Sequence, residues 1–172
     1  MHFKLMDGED IREEESWNDT NEKYMQVLIK TCKTSSEQHE KSGYYFKKKN
    51  TQWGLPAVLL PTIMAPISVL IDEYPDVSKY INAIAFLLAG IIAGVLSFFK
   101  YSEHMTNHFN MSKRYIDVSS DIEVELIKQR MYRQQINVFS TKIHMNLDSL
   151  IKSSPIIPKF IMDKYNKSEQ IA

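Results

Sequence analysis

The sequence predicts an all-α membrane protein, a two-helix transmembrane hairpin with long cytosolic helical extensions. Three observations carry this. Residues 51–71 and 80–99 contain no charged side chain. Only eight residues, 72–79, separate the two blocks. The flanking arms are polar and nearly free of proline and glycine. A helix rises about 1.5 Å per residue, so roughly twenty residues cross a ~30 Å hydrocarbon core. Hydrophobic residues make up 44% of the 172-residue chain, an ordinary share that hides their concentration in two places.

The spans are expected at about 54–72 and 80–99. The second is apolar on every face, from Tyr80 through Phe99. The first contains Pro56, Pro61 and Pro66, which break soluble helices but are tolerated in membrane ones. It is therefore expected to be kinked or irregular in its first half. The competing reading, a buried central hairpin in a soluble bundle, is disfavoured because 18 or more consecutive apolar residues read as a span.

Pro75 in the short connection stops helix propagation, so the two helices must run antiparallel. Lys41, Lys47, Lys48 and Lys49 precede the first block, and Lys100, Lys113 and Arg114 follow the second. The loop sets one lysine against Asp72, Glu73 and Asp76. The positive-inside rule then places both termini in the cytosol and the loop across the membrane. Interface anchors are expected at Lys47, Lys48, Lys49, Trp53, Tyr80, Lys100 and Tyr101, with Tyr44, Tyr45 and Tyr74 at similar depth. Residues 1–16 lack a basic n-region and an apolar core, so insertion is expected through the hairpin without a signal peptide. Sequons at Asn18, Asn110 and Asn166 all fall outside the loop and are expected to stay unglycosylated.

The N-terminal arm divides into an acidic tail, 1–14, and a helix leading towards the first span. Asp7, Glu9 and Asp10 suit a helix N-terminus. Trp17, Tyr24, Leu28 and Tyr45, with Ser35 and Ser42 in register, form a thin seam, and a break is expected near 34–36. From Lys100 to Arg133 there is neither proline nor glycine, and Met105, His108, Tyr115, Val118, Ile122 and Leu126 keep the helical period. This predicts one rod of some fifty residues continuing the second span, roughly 75–80 Å long. Residues 136–172 are expected to form a helical extension. That extension should hold a helix at 140–151 with Phe139, Ile143, Leu147 and Leu150 inward, a proline connector at 155–158, and a short helix at 159–165.

Ala85, Ala89, Ala93 and Ser97 recur at four-residue spacing in the second span, beside Gly90 and Gly94. Small residues let a neighbouring backbone approach closely, which marks these six as a candidate oligomer interface. Packing against the first span, or chance in an Ala/Gly-rich helix, has equal weight. Neither span holds an ionisable residue, which argues against a transporter or pump. Two helices cannot enclose water, so any pore needs several copies, with hydroxyls and the carbonyls freed at Pro61 and Pro66 as its candidate lining.

Chemistry is sparse. The 21 basic and 21 acidic residues cancel, so no nucleic-acid partner is expected. His104 and His108 are one helical turn apart and His39 could meet them, but no third ligand type completes a metal site. A satisfied seam histidine or a headgroup-level polar residue is the better reading. Cys32, the sole cysteine, reads as a small seam residue. Phosphate-binding, nucleophile-elbow and kinase motifs are absent from the sequence. No catalytic residue, metal or cofactor is expected.

Residues 39–72, which contain His-Glu-Lys-Ser-Gly-Tyr-Tyr-Phe-Lys-Lys-Lys-Asn and Gly-Leu-Pro-Ala-Val-Leu-Leu-Pro, resemble the SLATT family. Residues 97–127, with Phe98, Phe99, Glu103, His104, His108, Tyr115 and Ile122, share the resemblance, which covers roughly 15–135. These are SMODS- and SLOG-associating two-transmembrane effector domains of bacterial conflict systems, with versions in fungi and large DNA viruses. The resemblance implies a membrane effector that oligomerises and forms a pore when a partner domain senses a ligand. No sensor or nucleotide-synthesising domain is expected in this chain. Lysine outnumbers arginine 17 to 4 and isoleucine occurs 19 times, usage that suits the AT-rich genome of a large DNA virus.

The expected function is accordingly a non-enzymatic two-span protein of a host or viral membrane. Its expected partners are the lipid bilayer, further copies of itself, and a protein engaged by the cytosolic helices. The alternative is a structural virion or organelle membrane protein whose helices scaffold another protein.

Overall fold

The structure is a computed structural model that describes residues 16–70 and 75–169. Five α-helices and one 3-10 turn account for it, and no strand occurs among the described residues. The helices are α1 (Asp19–Leu70), α2 (Pro75–Phe99), α3 (Tyr101–Ile127), α4 (Ile136–Ser153) and α5 (Lys159–Glu169); the turn is Arg130–Tyr132. The acidic tail, with Asp7, Glu9 and Asp10, lies outside the described residues, as do Asp72, Glu73 and Tyr74 of the loop. The described chain divides into two compact units: the residues up to Glu40 with those from His108 onward, and Lys41–Asn107.

In the first unit, α1 starts on an asparagine cap. The Asn21 N–H donates to Asn18 Oδ1 at 2.8 Å, and the Glu22 N–H donates to the Asn18 carbonyl at 3.0 Å. Asp19 and Glu22 place negative charge in the first turn, where the helix dipole favours it. The core gathers Trp17, Met25 and Cys32 from the N-terminal stretch, Met111, Tyr115, Val118 and Ile122 from α3, and Ile136, Phe139, Ile143 and Leu150 from α4. Burying an aliphatic or aromatic side chain of this size contributes about 1.5–3 kcal/mol each.

The inner seam of α1 is Met25, Ile29, Cys32, Ser36 and His39, alternating steps of four and three. That of α3 is His108, Met111, Tyr115, Val118, Ile122 and Glu125, in the same rhythm. This 3.5-residue repeat is the one that keeps two helices in contact over many turns. It corrects the expected seam, since Tyr24 is 44% exposed and bonds His144 through its hydroxyl at 3.1 Å. Trp17 in the core, Leu28 packed against it and the buried Ser42 fall where expected, while small and polar side chains take the inner positions from Cys32 to His39. The expected break near 34–36 does not occur; Ser36 lies inside the helix and is buried.

At one end of this unit an ionic clasp joins the start of α1 to the α3–α4 connection. Glu22 Oε1 accepts from Arg130 Nε at 2.7 Å and Arg133 Nη1 at 2.6 Å, and Asp19 pairs with Arg130. Arg133 also lies 4.9 Å over the Trp17 ring and donates to the Leu126 and Lys128 carbonyls, which are free at a helix end. The Trp17 indole donates to the Gln134 carbonyl at 2.7 Å. This connection is why α3 stops at Ile127 and not near Arg133, and why α4 begins at Ile136, earlier than 140. The proline connector and the closing helix fall where expected, with α5 reaching Glu169.

In the second unit, α1 keeps helical structure through Pro56, Pro61 and Pro66, so the irregular first half expected there is not found. Trp53, Ala57, Leu60, Met64 and Ile67 are half-buried in steps of four and three. On α2, Asn82, Ala85, Ala89, Ile92 and Leu96 follow the same rhythm. The expected single rod is interrupted after Phe99. Lys100 has φ 46°, a conformation costly for any residue with a Cβ. Hydrogen bonds of 3.1 Å from the Lys100 N–H to the Leu96 carbonyl and from the His104 N–H to the Lys100 carbonyl hold the ladder on both sides.

Candidate functional site

Two features stand out, one in each unit. The first is the exposed apolar surface of the hairpin. In α1 and α2 the most apolar 18-residue windows are 0% and 6% buried. Both helices are long and apolar enough to cross a membrane. A core helix of a water-soluble bundle would hide such a window. Here Val69, Leu70, Phe86, Leu87 and Phe98 stand out from the fold, Leu70 and Phe98 at more than four-fifths exposure.

The six small residues do not share one environment. Ala85 is buried and Ala89 half-buried, on the seam facing inward. Gly90, Ala93, Gly94 and Ser97 are exposed. A four-residue step advances a helix by about 40°, so a stripe built on that spacing turns by about 120° from Ala85 to Ser97. A Cβ added at Gly90 or Gly94 would meet nothing within 4 Å. Packing within the hairpin therefore places no demand on these two glycines.

Of the expected anchors, Lys47 and Lys48 are exposed, Lys49 is half-buried with its ammonium 5.9 Å from the Tyr45 ring centre, and Trp53 is half-buried. Tyr80 is 72% exposed. Lys100 pairs with Glu103 at 3.6 Å. Tyr101 stacks on Phe99 with centroids 5.4 Å apart and planes 4° from parallel. Sequence reasoning missed Phe46, which lies 5.1 Å from the His104 ring and 6.5 Å from Tyr101. Extending the 3.5-residue repeat of α1 past His39 reaches Phe46, and that was the available signal.

The second feature is a buried polar layer between α1 and α3. Ser36 Oγ donates to the Ser112 carbonyl at 3.0 Å and lies 2.9 Å from Ser112 Oγ. One turn further along α1, His39 Nδ1 lies 2.9 Å from His108 Nδ1. The His39 ring also stacks on Tyr115, 5.6 Å between centroids and 16° from parallel. Both histidines are at most 2% exposed. Burial lowers the His39 pKa from its ordinary value and raises that of the Cys32 thiol. His39 thus meets His108, while His104 stacks on Phe46. Among the described residues no group of three His, Cys, Asp or Glu side chains could hold a metal ion.

No family model, curated protein or solved structure matches the chain.

Proposed function

We propose that this is a non-enzymatic integral membrane protein whose α1 and α2 cross the bilayer, with both termini cytosolic, and which assembles with further copies of itself. The observation that carries the reading is the apolar surface of both helices, left almost wholly outside the fold. Water would penalise that surface and lipid would not. The lysines at positions 47, 48, 49 and 100 flank the apolar stretches, and Tyr80, Trp53 and Tyr101 provide amphipathic rings for headgroup depth. The exposed Gly90 and Gly94 offer close backbone approach to a second copy. In this the chain is similar to SLATT effectors, and an assembly of several copies would open a pore.

One observation favours the second reading, a scaffold in a virion or organelle membrane whose cytosolic helices hold another protein. The hydroxyls available to line a pore are turned onto their own helix: Thr62 Oγ1 donates to the Val58 carbonyl at 2.7 Å and Ser68 Oγ to the Ala65 carbonyl at 2.8 Å. Reconstitution into liposomes loaded with a small dye separates the two. Leakage that scales with protein oligomer supports the effector; a purified oligomer that leaves vesicles sealed supports the scaffold. A chain that crosslinks only as a monomer in lipid defeats the assembly common to both.

A further inference from the structure

We propose that the His39–His108 layer is an acid-sensitive latch between α1 and α3, closed by one shared proton at neutral pH and forced open by proton uptake in acid.

The chemistry follows from the 2.9 Å separation of the two Nδ1 atoms. In the neutral pair one ring carries its proton on Nδ1 and donates it to the bare Nδ1 of the other, whose own proton is on Nε2. A first added proton goes to the Nε2 of the donor ring. The shared bond survives, but an imidazolium now sits where almost no ring surface reaches water. A second proton must go to the acceptor Nδ1. Two N–H groups then face each other across a hydrogen-bond distance, and two like charges share one buried site. The rings must separate.

Tyr115 of α3 covers His39, Ser36 precedes it by one turn, and Ser112 follows His108 by one turn. Charged side chains on adjoining turns are exposed: Glu37 and Glu40 on α1, Lys113 and Arg114 on α3, and Asp163 and Lys164 on α5. Glu37 accepts from the Tyr165 hydroxyl of α5 at 3.1 Å, and Arg114 donates to Ser153 of α4 at 3.4 Å. No ion pair to His39 occurs among the described residues. The sign is then fixed. His39 holds protons less readily in the folded chain than in the unfolded one, so its contribution to stability is complete above about pH 6.5 and is lost as pH falls below that. The latch concerns the unit outside Lys41–Asn107 and does not depend on how the apolar hairpin is solvated.

Cys32 supplies the reporter, because it is the sole cysteine and lies buried on the same α1 seam. The full chain in lipid nanodiscs is treated with dithiodipyridine at pH 7.5 and pH 5, each rate divided by that of the denatured chain at the same pH. The latch predicts that the relative rate rises about tenfold or more at pH 5, because opening is linked to proton uptake by both rings. In the double variant His39→Gln, His108→Gln, whose amides can bond but do not titrate, the rise should fall below about threefold. Equal protection of Cys32 at both pH values in the wild type overturns the proposal, as does an undiminished rise in the double variant. If that variant does not fold, ¹⁵N titration of the wild-type imidazoles decides. Loss of the shared Nδ1 proton in step with Cys32 exposure supports the latch; exposure while the shared proton persists overturns it.

Discussion

Glu22 and Arg133 lie 111 residues apart in the sequence and 2.6 Å apart in space. The link closes the first unit at one end, because Arg133 also reaches back to the carbonyls that end α3. Hydrogen bonds from Arg130 and Arg133 hold the Glu22 carboxyl down to about 2. Its contribution is therefore complete above about pH 4.5 and is lost as pH falls from there towards 2. Glu22→Gln should flatten the acid limb of a denaturation profile in that window and leave the profile above about pH 5 unchanged. Arg133→Ala should lower stability by about 1–3 kcal/mol, because it leaves the Leu126 and Lys128 carbonyls without their donor and Glu22 with Arg130 as its remaining one.

Ile143 is fully buried in the core of that unit. Ile143→Ala should cost about 2–5 kcal/mol in chemical denaturation followed by helical circular dichroism. Val138→Ala, on the exposed side of the same helix, should stay within about 0.5 kcal/mol.

Lys100 pays for its φ of 46° with a strained backbone, and its side chain makes only a surface pair with Glu103. Lys100→Gly should therefore be neutral or stabilising by up to about 1 kcal/mol, measured by thermal unfolding in detergent. Lys100→Val should be destabilising, since a β-branched side chain tolerates that conformation least.

Gly90→Leu with Gly94→Leu tests the assembly surface without disturbing the hairpin, because open space surrounds both positions. Crosslinking in lipid should shift towards monomer while helix content holds. Ala89→Leu is the contrasting change: Ala89 is on the half-buried seam, so its enlargement should disturb the hairpin itself.

The helices were legible because their signals are local. Two charge-free blocks and the absence of proline and glycine from Lys100 to Arg133 need no knowledge of the partner surface. What sequence reasoning missed depends on such surfaces. Tyr24 was placed inside because it is large, yet Met25 beside it takes the core. Ser36 looks like part of a break until Ser112 comes from a segment some seventy residues away, whereas the meeting of His39 with His108 was legible from their places on the two arms. The clasp was invisible for the same reason, as Arg130 and Arg133 find Asp19 and Glu22 only after both helices form. The small-residue stripe divides between two environments for a geometric reason: steps of four drift around a helix, so Ala85 and Ala89 face the seam while Gly90, Ala93, Gly94 and Ser97 are exposed.

The most direct test of the account is fractionation of the expressed full chain at high speed after alkaline carbonate treatment. The account predicts recovery in the membrane pellet, with release only by detergent. A compact monomer left in the detergent-free supernatant would contradict it, because the exposed apolar faces of α1 and α2 would then have to be stable in water.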